Sequence, residues 1–249
     1  MPCIICHERM IFMTSPLFYT AGRSPALTYA IDCLQEAGCV FSQTPGPAVT
    51  HLLLPVPSME DKVHLKGGQN LFELLTELPK DITVIGGNLP DLEGYRVIDL
   101  LQDTHYVTEN ASITAYCAIT IALKKLPVTL KDCPCLVIGW GRIGKCLAML
   151  LKAMDARVTV YARKETDRAM LQALGYQATD RLSPESYRLI FNTAPELILP
   201  DCPGQALKID LASRPGITGP DVIWARGLPG KDAPESAGKL MAQRILYYI

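Results

Sequence analysis

Leu136-Val137-Ile138-Gly139-Trp140-Gly141-Arg142-Ile143-Gly144 is the stretch whose reading decides the fold. Its apolar start suits a strand buried on both faces, and Gly139 supplies a turn tight enough to lead straight into a helix. Gly141 has no side chain to block a pyrophosphate. Beyond it, Ile143, Leu147, Leu150, Leu151 and Met154 recur at helical spacing. The helix can therefore lie on a sheet with its free N–H groups, starting at Arg142 and Ile143, aimed at an anion. Gly144 permits close helix–strand packing. A second apolar strand follows at Ala156-Arg157-Val158-Thr159-Val160-Tyr161. Strand, glycine turn, helix and strand together predict a dinucleotide-binding unit, although a glycine turn of this form also fits an unrelated α/β protein.

The end of that second strand bears on which dinucleotide is bound. An NAD site usually has Asp or Glu about 20 residues past the first glycine, accepting a bond from the ribose 2′-hydroxyl. Here the residues are Ala162-Arg163-Lys164. Two cations and no carboxylate favour NADP(H) over NAD, with Arg163 offering a planar fork to a 2′-phosphate. Arg163 and Lys164 are also readable as a solvated pair on a loop.

The 249 residues are 49% hydrophobic and 20% charged, with net charge −1. Such a chain can bury two α/β cores, and it gives no electrostatic reason to expect nucleic acid or an anionic membrane as partner. No apolar run approaches the ~18 residues of a membrane span. The start, Met1 to His7, lacks the features of a signal peptide, so the nine cysteines are expected to be cytoplasmic thiols. Cys133-Pro134-Cys135 is too closely spaced for a CxxC motif, and Cys3, Cys6 and His7 lack a second ligand pair, so no metal site is expected.

Taken in order, strands are expected at Ile11–Ser15, Cys39–Phe41, His51–Leu54, Ile82–Gly87 and Arg96–Asp99. Helices are expected from Ser24-Pro25 to near Gly38 and over Leu71–Leu78. Alternating elements mean parallel sheets, so the fold class is α/β with two doubly wound domains, the second a Rossmann domain. The N-terminal, flavodoxin-like domain covers residues 1–105 and the dinucleotide-binding domain residues 106–233. A connecting helix spans 108–125 with Ile113, Tyr116, Cys117, Ile119, Thr120 and Leu123 inward. A C-terminal helix, 234–249, is expected to pack back on the first domain. In the second domain, strands at Tyr187–Phe191, Ala206–Leu211 and Val222–Ala225 end in Asn192-Thr193-Ala194-Pro195, Ala212-Ser213-Arg214-Pro215 and Arg226-Gly227-Leu228-Pro229. Ligands of open parallel sheets sit at such carboxyl ends. Asn192 to Pro195, Leu211 and Ala212 are thus expected beside the cofactor, and Gly227 and Pro229 beside the substrate.

These motifs, with Tyr161-Ala162-Arg163, Ile209 to Gly216, Gly227 to Gly230, Ala233-Pro234 and Ala237-Gly238, resemble those of the NAD(P)-binding A subunits of dipicolinate synthase. The resemblance runs from about Leu136 to Ile245, with looser matches at Gly22-Arg23 and Leu53 to Val56. It implies a sporulation-type reaction in which dihydrodipicolinate gives a hydride to NADP+, loses a proton and becomes pyridine-2,6-dicarboxylate. It also implies a flavoprotein-like second component, the B subunit, for partner, and a homo-oligomer is a further expectation. On this reading Arg214 holds one substrate carboxylate, with Ser213 beside it at the catalytic centre, and Arg23 takes the second carboxylate. No residue is assigned as the base. The chain departs from the family at Tyr116-Cys117, where Glu-Gly is usual, and at Lys231-Asp232. Similar residues occur in D-2-hydroxyacid dehydrogenases, but those use a histidine beyond the arginine. The histidines here, His7, His51, His64 and His105, all precede Arg214. A third reading is a nucleotide-binding partner protein without turnover of its own.

Overall fold

The computed structural model describes residues 16–202 and 204–249. The expected strand at Ile11–Ser15 and the Cys3, Cys6 and His7 group lie outside the described residues. Packing divides the chain into one unit made of residues up to Asp103 with Met241–Ile249, and a second of Thr104–Leu240.

The first unit carries a five-stranded parallel sheet in the order β2-β1-β3-β4-β5. Its strands are β1 (Leu17–Thr20), β2 (Val40–Phe41), β3 (His51–Leu53), β4 (Thr83–Gly86) and β5 (Arg96–Asp99). This is the flavodoxin-like strand order. Strand β1 falls in a segment that sequence pattern alone presents as a connection. Helix α1 (Pro25–Glu36) starts where the sequence places it, since the Ser24 hydroxyl accepts from Leu27 N–H at 3.1 Å and Pro25 opens the first turn. Helix α2 (Leu71–Thr76) is capped likewise by Asn70. Leu52, Leu54, Leu65, Leu71, Leu74 and Val84 form its core.

The second unit carries six parallel strands, β6 (Pro134–Ile138), β7 (Arg157–Tyr161), β8 (Gln177–Thr179), β9 (Leu189–Asn192), β10 (Leu207–Asp210) and β11 (Val222–Trp224). Their order, β11-β10-β9-β6-β7-β8, is the Rossmann order with its reversal between β6 and β9. Alternate residues of β6 serve opposite faces: Cys135 and Val137 join the core beneath α3 (Thr104–Lys125) and α4 (Arg142–Ala153), while Leu136 and Ile138 join a smaller cluster with Ile190 and Ile217. Burial on both faces explains the unbroken apolar run. Helices α5 (Glu165–Ala173), α6 (Leu228–Asp232) and α7 (Pro234–Tyr248) complete the chain.

Helix α3 corrects the expectation for its inward face. Tyr116 and Leu123 are 59% and 47% exposed, and Thr120 is exposed as well. The buried stripe is Ala111, Ala115, Ala118 and Ala122, together with Thr114, Cys117 and Ile119. Small residues let α3 lie close against α4, so the helical spacing is right but bulk is a poor guide to burial here. The helix also starts a turn early, because Tyr106 is buried.

Two charged clusters fix loops. In the first unit Asp103 Oδ2 accepts from Arg244 Nε at 3.0 Å, Arg244 Nη2 at 2.6 Å and Tyr248 Oη at 2.5 Å, which ties the last turns of α7 to the residue that precedes α3. In the second unit the carboxylate of Asp210 is fully buried. Its Oδ1 accepts from Asn192 Nδ2 at 2.9 Å and Ala212 N–H at 3.0 Å, and its Oδ2 from Gly216 N–H at 2.7 Å and Ile217 N–H at 2.9 Å. Asn192 is equally buried, donating to Ala194 O at 3.0 Å and accepting from Ala194 N–H at 3.1 Å. One carboxylate thus holds the β9 and β10 end loops together.

Two variants test these clusters. Asp103→Asn leaves the Arg244 guanidinium without its anion and lowers unfolding free energy by about 3 kcal/mol in urea titration. A loss under about 1 kcal/mol would mean the cluster is ornamental. Asp210→Asn turns an amide NH2 toward backbone donors, so a cost of about 3 kcal/mol is expected, with faster proteolysis across residues 194–217. An unchanged proteolysis rate would contradict its part in holding those loops.

Candidate functional site

The site begins with a constraint on backbone approach. Gly139 leaves β6 at φ 101, and a Cβ there would meet Thr193 Oγ1 at 2.6 Å. A Cβ on Gly144 would lie 2.1 Å from the carbonyl oxygen of Gly139. Neither position admits a side chain, so the turn folds tightly against the first turn of α4 and against the β9 end, where Thr193 Oγ1 donates to Ile138 O at 2.9 Å. Gly141 differs, because a Cβ there would meet nothing within 4 Å. As N-cap of α4 it provides no side-chain cap bond, which leaves the first N–H groups of the helix facing open space. An anion such as a pyrophosphate fits that arrangement.

From this turn a groove of about 230 Å³ runs toward the end of β7. It is lined by Gly139, Trp140, Gly141, Tyr161, Ala162, Arg163, Lys164, Asp167, Ala194 and Ile198, at the sheet's reversal point. Of the residues expected at the cofactor, Gly139, Gly141, Ala162, Arg163, Lys164 and Ala194 are on the lining. Gly144 lies behind the turn as a packing residue, and Asn192 lies beneath it with its amide spent on Asp210 and Ala194. Arg142, Ile143, Thr193, Pro195, Leu211 and Ala212 are not part of this lining. Arg142 is exposed at the first position of α4, whereas Leu211 and Ala212 are buried at the β10 end.

The rim is less cationic than the sequence suggests. Arg163 is paired with Glu196, Nη1 donating to Oε2 at 2.5 Å and Nη2 to Oε1 at 3.2 Å. Asp167, in the first turn of α5, puts a carboxylate on the lining itself. Arg168 supports the rim from behind, its Nη1 donating to Ala162 O at 2.9 Å and Arg163 O at 2.7 Å. Sequence reasoning missed Trp140, Tyr161, Asp167, Ile198 and Glu196. Trp140 and Tyr161 stand inside quoted motifs, so their position was legible; Glu196 directly follows the Asn192-Thr193-Ala194-Pro195 strand end.

At the β10 and β11 ends, Ser213 and Arg214 are exposed, and among the described residues Arg214 has no ion pair or side-chain hydrogen bond. Trp224, 48% exposed, donates from Nε1 to Ala212 O at 3.1 Å, and the Arg226 guanidinium lies 5.2 Å from its ring centre. An aromatic face and a second cation therefore stand beside the Ser213-Arg214 loop, also unforeseen. Gly227 adopts φ 66 as N-cap of α6, and Pro229, expected to touch substrate, is buried in that short helix. Burial first, then the Asp232 carboxylate, pushes the Cys117 thiol up. Arg23 is exposed in the first unit, its N–H donating to Lys66 O at 2.7 Å. The seven described cysteines are free thiols, and no metal-binding cluster or membrane-length apolar helix occurs among the described residues.

No family model matches the chain. The A subunit of dipicolinate synthase from Bacillus subtilis (strain 168) is 29% identical over 164 residues, 59% of this chain and 55% of that protein, so the match spans about half the relative's length. The solved A subunit of dipicolinate synthase from Bacillus halodurans superposes with TM-score 0.80 at 20% identity, covering 94% of this chain and 98% of that one. The solved Bacillus subtilis protein gives 0.78 at 21% identity, covering 95% and 96%. A transhydrogenase from Sinorhizobium meliloti gives 0.63 at 11% identity, covering 93% and 92%. In sequence this chain is similar to the A subunit of dipicolinate synthase, and it shares its fold with the solved proteins of that name and with the Sinorhizobium meliloti transhydrogenase.

Proposed function

We propose that the chain is an NADP-dependent oxidoreductase of the dipicolinate synthase type, oxidising dihydrodipicolinate to pyridine-2,6-dicarboxylate. The observation that carries this reading is the groove at the β6–β9 reversal, with an uncapped helix N-terminus at Gly141 and cations at Arg163 and Lys164. The dinucleotide, when bound, supplies the hydride acceptor. The chain's own part is to seat and orient. Backbone N–H groups at the start of α4 hold the pyrophosphate, and Arg163 with Lys164 face the ribose 2′-phosphate. Arg214, without a side-chain partner among the described residues, grips one carboxylate of the ring from the β10 end, with Ser213 beside it. Arg226, held on Trp224, gives the same unit a second cation for an aromatic dicarboxylate. The part given to Arg23 rests on the resemblance alone.

The overall change removes a hydride and a proton from the ring, and the gain of aromaticity supplies much of the driving force, so orientation is the larger task. No histidine lies beyond His105, which disfavours the hydroxyacid chemistry otherwise compatible with the fold. A flavoprotein-like B subunit belongs to this proposal as the partner.

Purified chain mixed with NADP+ and dihydrodipicolinate should produce the reduced nicotinamide absorbance and pyridine dicarboxylate together. Product only after adding the flavoprotein-like partner would make the activity that of the pair. Binding of NADP+ without turnover in either case would leave a nucleotide-binding protein, and turnover of a 2-hydroxy acid instead would replace the proposal. Arg214→Gln should lower kcat/KM by about 10- to 100-fold while leaving the NADPH Kd within about 2-fold. An equal effect on both would remove Arg214 from the substrate side.

A further inference from the structure

We propose that Glu196 sets how strongly this chain prefers a 2′-phosphorylated dinucleotide, by contesting the phosphate's hold on Arg163; this rests on the dinucleotide reading above. Arg163 leaves the carboxyl end of β7 on one rim of the groove. Glu196 lies in the loop after β9, between Ala194 and Ile198, which belong to the same lining. Their two-bond ion pair therefore joins the loop that follows β7 to the loop that follows β9, beside that lining.

The edge of the guanidinium that suits two phosphate oxygens is occupied by two carboxylate oxygens of matching geometry. A 2′-phosphate arriving here has two routes. It can displace Glu196 and break the ion pair, or it can take the Nε edge of Arg163 and lie beside a carboxylate that repels it. Both routes weaken NADP(H), and a ribose carrying only a 2′-hydroxyl meets neither. Lys164 adds a cation and Asp167 an anion to the lining, so with Glu196 on Arg163 the charges gathered there are close to even until Glu196 moves. Both members of the pair are mostly exposed, with side chains 66% and 56% accessible, so the exchange is easy and Glu196 tempers phosphate binding without forbidding it. The carboxylate that NAD enzymes carry at the end of the second strand is thus delivered here from the fourth strand of the unit.

The test measures NADPH and NADH Kd by energy transfer from tryptophan in the full chain, for wild type, Glu196→Gln, Glu196→Asp, Arg163→Ala and the Arg163→Ala/Glu196→Gln pair. Glu196→Gln should tighten NADPH by about 3- to 10-fold, leave NADH within about 2-fold, and lose this effect as salt is raised. Glu196→Asp should keep the wild-type ratio, and Glu196→Gln should do less in the Arg163→Ala background. An unchanged NADPH to NADH ratio in Glu196→Gln, or weaker NADPH binding, overturns the inference while the dinucleotide reading stands. Binding of neither dinucleotide to the wild type overturns both.

Discussion

The contact between Gly144 and the carbonyl of Gly139 governs the second unit. With only 2.1 Å available to a Cβ, any larger residue would push α4 away from β6. The helix N-terminus would then no longer face the open space at Gly141. That approach also presses the turn against Thr193, just past the end of β9, so one backbone crossing joins the two strands between which the sheet order reverses. The groove exists because those strands diverge there.

Around this crossing, charge is handled in two ways. Deep in the sheet, the Asp210 carboxylate is satisfied by four donors and serves to hold the β9 and β10 loops in place. On the rim, Arg163 and Glu196 form an exposed pair whose members are available to a ligand. Buried charge of the first kind is costly to disturb, whereas exposed pairs of the second kind rearrange for little. A scaffold that is stiff beneath and exchangeable at the surface suits the dinucleotide binding proposed for this groove.

The strand–turn–helix reading was legible because glycine spacing and apolar runs are local signals, and the parallel sheets followed from alternating elements. Helix α1 was equally plain, since Ser24 and Pro25 are local start signals. Three further features were not legible, each for a physical reason. Strand β8 is a short edge strand with a mixed sequence, Gln177 to Thr179, and lacks a run of apolar residues. The buried face of α3 is made of alanines, which pattern reading ranks below Tyr116 and Leu123. The Arg163–Glu196 pair joins residues 33 positions apart, and only the folded sheet brings two loop ends together. A cationic reading of Ala162-Arg163-Lys164 was sound for that segment taken alone; the opposing carboxylate comes from another strand.

The central claim is that a dinucleotide lies in the groove between the Gly139 turn and Arg163. Its most direct test is amide chemical-shift mapping of the isotopically labelled chain during titration with NADP+. The account predicts the largest shifts at Gly139, Gly141, Arg142, Ala162, Arg163 and Ala194, with Trp140 Nε1–H moving as well. Shifts confined to the first unit, or absent from the Gly139 turn, would contradict it.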